Sequence, residues 1–361
     1  MQRRKSLALS IPYQLDFFKQ YKFLSKDKPQ HILLESGRGG RYNIVGLNPV
    51  AVIRGKGEAL HISESGKETI KQGNPLDLMQ EYMERWKTDY NPEYPPFQGG
   101  AIGYFSYDCI RYIEKLPSLA EDDINIPDIF FLLFDDVFVY DQKEKVLWII
   151  THYVDKHEEA KERLNEWKIL WATEAPEVTI PFACPEKVNE AVAFIEESFM
   201  KAVECIQEYI GAGDVFQVNL STRQERTLQT HPLEIYTSLR EINPSPYMGY
   251  LELGDFQIVS GSPELLIKKQ GTEVSTRPIA GTRSRGANEQ DDEELEKELL
   301  ENEKERAEHV MLVDFGRNDF GRVCEFGSVA VDEFMVVEKY SHVMHIVSDV
   351  CGALGEDNEW F

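Results

Sequence analysis

Glu264 is the first residue whose type and setting could do chemistry. It closes Gly261-Ser-Pro-Glu264, between the strand-like Phe256-Gln-Ile-Val-Ser260 and the apolar Leu265-Leu-Ile267. A glutamate just past a tight turn at a strand end is where a scaffold can fix a general acid over a cleft. The same position also suits an ordinary solvated turn carboxylate. Glu308 is the second. It stands where an acid-rich helix turns apolar, with Met311, Leu312 and Phe315 on its face at i+3, i+4 and i+7. A carboxylate on a buried face is costly unless it is paired or binds a cation. A lone carboxylate suits Mg²⁺, which keeps several waters and completes its shell with substrate oxygens. The other acids between Glu289 and Glu308 read as a solvated helix face.

Three more stretches carry polar groups in a pattern. Ser341-His-Val-Met-His-Ile-Val-Ser348 reads as a strand, and its period of two puts His342 and His345 on opposite faces, so one pocket cannot use both. By pattern alone each is equally a satisfied core histidine. Thr276-Arg-Pro-Ile-Ala-Gly-Thr-Arg283 ends a strand with Pro278 and Gly281, and offers hydroxyls and free amides to a carboxylate, or simply a hairpin corner. Gly37-Arg-Gly-Gly-Arg41 is glycine-rich, but it lacks the Lys-Ser/Thr of a phosphate loop and leads into the strand-like Tyr42-Asn-Ile-Val45, so a turn is expected.

The elements that must position these groups fall into two halves. Residues 30 to 150 are strand-rich: His31–Leu34, Ala51–Arg54, Ala101–Phe105, Ile129–Phe134, Val137–Tyr140 and Val146–Ile150, with helices at Pro75–Trp86 and Glu158–Trp171. Thr173–Glu190, with Pro176, Pro181 and Pro185, reads as a linker. Beyond it, Ile195, Phe199, Ala202, Val203, Ile206, Tyr209 and Ile210 recur at helical spacing, and Gly211 and Gly213 suit a C-cap. Val215–Ser221 alternates, so a strand is expected with Gln217, Asn219 and Ser221 sharing a face. An acid-rich helix is expected from Asn288 to His309, with Asn288 and Asp291 in its N-cap and first turn. Strands and helices grouped in this way predict α+β layers with mainly antiparallel sheets rather than βαβ alternation.

Composition limits what the site can serve. The 361 residues carry a net charge of −24 and are 42% hydrophobic, which excludes disorder and a small disulfide scaffold. So acidic a surface repels nucleic acid, and no Lys/Arg stripe reverses the sign. Cys109, Cys184, Cys205, Cys324 and Cys351 are odd in number, with no Cys-x-x-Cys pair, and read as reduced thiols of a cytoplasmic protein. The apolar run at the start is too short for a signal peptide, and Ile129–Phe134 is far too short to span a bilayer, so no membrane role is expected.

In order, the motifs resemble those of the chorismate-utilising enzymes of the anthranilate synthase component I family. They are Gly213-Asp-Val-Phe-Gln-Val-Asn219, Asn243-Pro-Ser-Pro-Tyr-Met248, Gly261-Ser-Pro-Glu264, Arg277-Pro-Ile-Ala-Gly-Thr282, Glu303-Lys-Glu-Arg-Ala-Glu-His309, Leu312-Val-Asp-Phe-Gly-Arg-Asn-Asp319 and Ser341-His-Val-Met-His345. The likeness begins near Leu33-Leu-Glu-Ser36 and runs to the end of the chain. Phe97–Asp108 is similar to the same stretch in the anthranilate and aminodeoxychorismate synthase large subunits. The resemblance implies an α+β, anthranilate synthase component I-like fold of layered antiparallel sheets flanked by helices. It divides the chain into an N-terminal-like domain over 1–172, a linker over 173–190 and a chorismate-binding catalytic domain over 191–361. Family members continue for about a hundred residues more, so the resemblance also implies a C-terminal part that is incomplete and a truncated protein.

The roles implied are specific. Glu264 falls where the family's general acid protonates the departing C4 hydroxyl, which requires a carboxyl kept protonated by burial or by neighbouring negative charge. Glu308 matches a Mg²⁺ ligand that positions the ring carboxylate, His345 a residue beside the departing hydroxyl, and Gly281 and Thr282 the substrate pocket. Gln217 stands where the water-adding isochorismate and salicylate synthases carry a lysine base. An amide cannot activate water, so ammonia is the implied nucleophile. Ala280 occupies a position that is lysine in one branch of the aminodeoxychorismate synthases and alanine in anthranilate synthases. Glu35, Ser36, Arg41, Tyr42, Asn43, Ile44, Pro246, Tyr247 and Met248 correspond to the tryptophan pocket of anthranilate synthases.

The implied function is that of an aminodeoxychorismate synthase large subunit, which aminates chorismate on the way to 4-aminobenzoate and folate with ammonia from a glutamine amidotransferase subunit. The alternatives are an anthranilate synthase large subunit in tryptophan biosynthesis, or a truncated remnant that binds ligand or partner without catalysis. Mg²⁺ at Glu308 would reconcile an acidic chain with an anionic substrate, because a bound divalent cation reverses the local sign.

Overall fold

Side-chain alternation and ladder partners decide which apolar runs become strands. In Ala51–Lys56 the buried positions are Ala51, Ile53 and Gly55, while Ile129–Phe134 is buried almost throughout because both of its faces are covered. The computed structural model describes residues 3–37, 40–180, 190–192, 195–340 and 342–355. It divides into two compact units, Met1–Val178 with Ser238–Phe361, and Thr179–Thr237.

Among the described residues, the larger unit contains three antiparallel sheets. A seven-stranded sheet has the spatial order Lys5–Pro12, Val146–Tyr153, Asp136–Asp141, Tyr42–Leu47, His31–Glu35, Tyr247–Glu252 and Gln257–Ser262. A five-stranded sheet has the order Lys67–Gln72, Ala59–Glu64, Ala51–Lys56, Ile129–Phe134 and Gly100–Phe105. Side chains of both sheets meet in one core that includes Ile32, Ile102, Phe130, Leu132, Phe134, Ile150 and Leu251. The helices Phe17–Ser25 and His157–Ala172 pack on the seven-stranded sheet through aromatic rings, with Phe17 and Trp171 centroids 5.1 Å apart and Phe138 and Trp167 4.7 Å apart. The helix Pro75–Met83 packs on the five-stranded sheet, where Tyr82 joins Ile53, Leu60 and Ile62.

The seven-stranded sheet takes strands from both sides of the expected linker. Met248 pairs with Glu35 and Glu252 with His31, so Tyr247–Glu252 is built onto the edge of the first half. Lys5–Pro12, which the sequence did not mark as a strand, forms the opposite edge against Val146–Tyr153.

The third sheet holds the second-half motifs. Its central strand, Val343–Ala353, pairs on one edge with Glu273–Arg277 and Ile279–Ser284 and on the other with Ala330–Lys339, while Leu265–Gln270 pairs with Glu273–Arg277. The helices Glu289–Glu301 and Glu303–Val323 pack on it: Leu299 meets Met344 and Ile346, and Val313 and Phe320 meet Val274 and Val350. The single acid-rich helix expected from Asn288 to His309 is therefore two helices. Asn302 ends the first and caps the second, its side chain accepting the Glu305 N–H at 3.1 Å. Asn288 caps the first helix as expected, accepting the Asp291 N–H at 3.0 Å.

In the smaller unit the helix Glu196–Ala212 ends at Gly213, whose φ of +82° is the left-handed cap that glycine favours. The expected strand over Val215–Ser221 is irregular instead; the short strand is Gln224–Arg226, paired with Glu190–Val192. Alternation alone does not make a strand when no neighbouring ladder takes its backbone groups. The four described cysteines are unpaired, and Cys184 lies outside the described residues.

Asp292 ties the first acidic helix to the third sheet. It accepts from the Arg285 guanidinium and from the Gly286 N–H at 2.7 Å, while Arg285 also donates to the Tyr340 carbonyl at 2.6 Å. The Arg285 hydrogen bonds, chiefly, hold the Asp292 carboxyl down to about 2, against its usual 3.8. Its contribution to stability is complete above pH 3.8 and is lost as pH falls toward 2. Urea unfolding between pH 5 and 2 is expected to show a shallower acid loss for Asp292→Asn than for the native protein.

Candidate functional site

The segment from Arg277 to Ser284 brings most of the predicted site residues together. Pro278 has no N–H and interrupts the ladder, so the strand splits into Glu273–Arg277 and Ile279–Ser284. Just after the break, the Ile279 N–H donates to Glu264 Oε1 at 3.2 Å, and the turn before Glu264 is closed by Ser262 Oγ, which accepts the Glu264 N–H at 3.3 Å. Glu264 is exposed, not buried as a protonated acid would require. It borders a cavity of about 530 Å³ whose walls include Pro278, Leu312, Gly316 and Phe320. The apolar Leu265-Leu-Ile267 that follows is a strand, but Leu266 is 88% exposed.

Ala280 is buried and pairs with Ile346, and a register shift at Gly281 then re-aims the chain. Gly281 has φ +76°, and a Cβ there would lie 3.2 Å from Ile346 Cδ1 and 3.3 Å from Glu305 Cβ. The position therefore suits glycine for conformation and for space. After the shift, Thr282 faces His345: Thr282 Oγ1 and His345 Nδ1 are 2.9 Å apart, and His345 Nδ1 is 3.3 Å from the Gly281 carbonyl. The Tyr340 ring stands edge-on to His345, with centroids 5.4 Å apart. Glu264, Ile279, Ala280, Gly281, Thr282 and His345 thus lie along one stretch of the sheet, with Glu264 at the cavity lined by Leu312 and Phe320, and Thr282 with His345 beside Tyr340. His342 lies just outside the strand and is exposed, and Ser341 lies outside the described residues.

Glu308 sits on the helix that packs against this segment, one turn beyond Glu305. Its side chain is 31% exposed and 3.7 Å from Lys304 Nζ. The buried face of the helix is set one residue away from the expected one. His309, Val313 and Phe320 are buried, whereas Phe315 is 49% exposed, so Glu308 lies at the border of the packed face. His309 is fully buried, and burial pushes its imidazole down to about 4, so it is neutral at pH 7. The sequence hid it because a histidine reads as polar in an apolar stripe. Glu305 accepts from Arg283 at 3.3 Å, and Arg283 also grips Glu298 through two nitrogens at 2.6 and 2.9 Å. Among the described residues no group of three His, Cys, Asp or Glu side chains converges on one point.

Gln217 belongs to the smaller unit, in the irregular stretch between the helix Glu196–Ala212 and the strand Gln224–Arg226. The residues of the expected tryptophan-like pocket separate into lining and support. Ser36, Pro246 and Tyr247 line a cavity of about 380 Å³ with Gly40, Pro263, Arg277 and Tyr340. Glu35 instead accepts from Arg240 Nε and Nη2, both at 2.8 Å, and Arg41 pairs with Asp141 and lies over the Tyr42 ring. Asn43 accepts the Ser36 N–H at 3.0 Å, Ile44 packs against the core, and Met248 is buried. The glycine-rich turn at 37–41 joins two paired strands as expected, with Gly37 so close to the Ser245 carbonyl that no Cβ would fit; Arg38 and Gly39 lie outside the described residues.

Layered antiparallel sheets, the Glu264 turn and the Gly281–His345 contact define a recognisable class. The chain belongs to the chorismate binding enzyme family, whose pattern it matches over residues 29–361. Aminodeoxychorismate synthase component 1 of Bacillus subtilis (strain 168) is 52% identical to it over 98% of this chain and 76% of its own length. Anthranilate synthase component 1 of Acetivibrio thermocellus is 43% identical over 91% of this chain and 70% of its own. In three dimensions the chain superposes on anthranilate synthase component I from Streptococcus pneumoniae TIGR4 with a TM-score of 0.77 at 32% identity, covering 88% of this chain and 70% of that one. The expected fold is thereby confirmed, while the expected truncation finds no support in these matches. Among the described residues, no helix is long and apolar enough to cross a membrane.

Gly281→Ala forces a side chain onto left-handed backbone and against Glu305, so it is expected to cost about 1–3 kcal/mol in urea unfolding. A loss below 0.5 kcal/mol would show that the 280–282 shift is not held by conformation.

Proposed function

We propose that the protein is the large subunit of an aminodeoxychorismate synthase. It would convert chorismate and ammonia into 4-amino-4-deoxychorismate in the cytoplasm, with ammonia released from glutamine by an amidotransferase partner. The observation that carries this reading is the 52% identity, over nearly the whole chain, to the Bacillus subtilis aminodeoxychorismate synthase component 1. The residues proposed to act all lie within 191–361.

Glu264 is the proposed general acid. With Oε1 fixed by the Ile279 N–H and the exposed carboxyl covered by bound chorismate, Oε2 would carry the proton to the C4 oxygen as the C4–O bond breaks, so that the hydroxyl leaves as water. The ammonia nitrogen forms the new bond to C4 and would return one proton to the Glu264 carboxylate, so that chorismate and ammonia give product and water with the acid restored. His345, oriented through Nδ1 by Thr282, would leave Nε2 toward the ring, and Gly281 and Thr282 would bound the substrate. Gln217 would leave water unactivated. Ala280 is too short to bond to the ring, so ammonia would add directly.

Glu308 is the proposed Mg²⁺ ligand. A partly exposed carboxylate at the border of a packed helix fits an ion that takes one or two protein carboxylates and fills its shell with water and substrate oxygens. When bound, the ion supplies positive charge that neutralises a substrate carboxylate.

Chorismate, ammonium and Mg²⁺, followed by the lyase that releases 4-aminobenzoate, are expected to give 4-aminobenzoate by absorbance. Anthranilate fluorescence without the lyase would transfer the protein to the anthranilate synthase reading. Glu264→Ala is expected to lower the amination rate by about 10²–10⁴-fold while chorismate binding by calorimetry persists; undiminished turnover would remove Glu264 from its role.

A further inference from the structure

Ser348 and His309 form a buried polar contact that the proposed chemistry does not use. Both side chains are fully buried, and His309 Nε2 lies 2.6 Å from Ser348 Oγ. Ser348 Oγ also accepts the Met335 N–H at 3.0 Å, so one hydroxyl meets both a backbone donor and the imidazole. The other ring nitrogen, Nδ1, is buried with no hydrogen-bond partner. An orphaned buried polar atom costs about 1–3 kcal/mol, and an apolar pair of the same volume would avoid it. A pair kept at such a cost calls for an explanation other than stability.

Position supplies one. Ser348 lies on the central strand of the third sheet, three residues beyond His345, and its backbone N–H donates to the Pro278 carbonyl at 3.3 Å, next to the Ile279 that holds Glu264. His309 directly follows Glu308 on its helix. One serine therefore touches the helix that carries Glu308, the Ala330–Lys339 strand through Met335, and the turn that orients Glu264. We infer that the His309–Ser348 hydrogen bond is a pin that fixes the rotation and height of the 303–323 helix against the third sheet, and with it the placement of Glu308. His309 and Ser348 are positioning residues: neither touches substrate. The inference rests on the reading of Glu308 as the metal ligand.

The test uses the intact chain with Mn²⁺ as the probe, in the presence of chorismate, and follows free Mn²⁺ by electron paramagnetic resonance. Ser348→Ala and His309→Leu, which remove the hydrogen bond, are expected to weaken Mn²⁺ binding roughly tenfold or more, the usual effect of losing a group that orients a metal ligand. His309→Gln, whose amide reaches the position of Nε2, is expected to stay within about threefold of the native protein. Thermal unfolding of the same samples separates the two effects, because a purely structural role lowers the midpoint without moving the affinity of the folded fraction. Native affinity in His309→Leu or Ser348→Ala, or equal loss in His309→Gln and His309→Leu, overturns the pin. Absence of Mn²⁺ binding by the native protein overturns the metal reading of Glu308 itself, a result distinct from the other two.

Discussion

The placement of Glu264, Thr282 and His345 depends on the register of one strand. Val343–Ala353 spends both of its edges. One edge takes Glu273–Arg277 and Ile279–Ser284 in succession, the other takes Ala330–Lys339, and helices cover its Met344, Ile346 and Val350 face. A slip of one residue would exchange its faces, sending His345 toward the helices and Ile346 toward solvent. The bulge at Gly281 and the interruption at Pro278 are both referred to this strand, so the positions of Glu264 and Thr282 are too. The apolar face that the helices bury is what makes the register unambiguous.

The charge distribution follows from the same arrangement. Arg277 is held by Glu333, Glu338 and Asp349 at 2.9, 2.7 and 3.1 Å, Arg283 by Glu298 and Glu305, and Arg285 by Asp292. The arginines of this segment are thus spent on structure. Burial also pushes the Asp349 carboxyl upward, which Arg277 opposes. A chain with a net charge of −24 that engages its local cations in this way has little fixed positive charge to offer a dicarboxylate. The divalent cation proposed at Glu308 would solve that problem without disturbing the ion pairs that keep the strands in place.

Much of the fold was legible before the structure, for identifiable reasons. Ile129–Phe134, Ala51–Lys56 and Gly100–Phe105 announce themselves by apolar content, and Gly213 and Asn288 by cap chemistry. Lys5–Pro12 did not, because an edge strand is defined by a partner more than a hundred residues away. The break at Asn302 was hidden in a polar run that offers no apolar phase to interrupt, and the buried phase of the next helix was misread because one of its members is His309. The candidate site residues were named through motif order. What the sequence did not convey was that Glu264 would be exposed and oriented by a backbone amide, since that contact depends on where Pro278 divides the ladder.

The shared seven-stranded sheet has a consequence for how the protein comes into being. His31–Glu35 needs Tyr247–Glu252 beside it, and Glu35 needs Arg240, both more than two hundred residues further along the chain. During synthesis the N-terminal half therefore emerges with an open sheet edge and without the arginine that grips Glu35, and it must wait until about residue 262 has left the ribosome to gain both partners. At roughly 5–20 residues per second that interval lasts on the order of ten seconds or more, so the growing chain depends on being kept from edge-to-edge pairing with its neighbours until its own second half arrives.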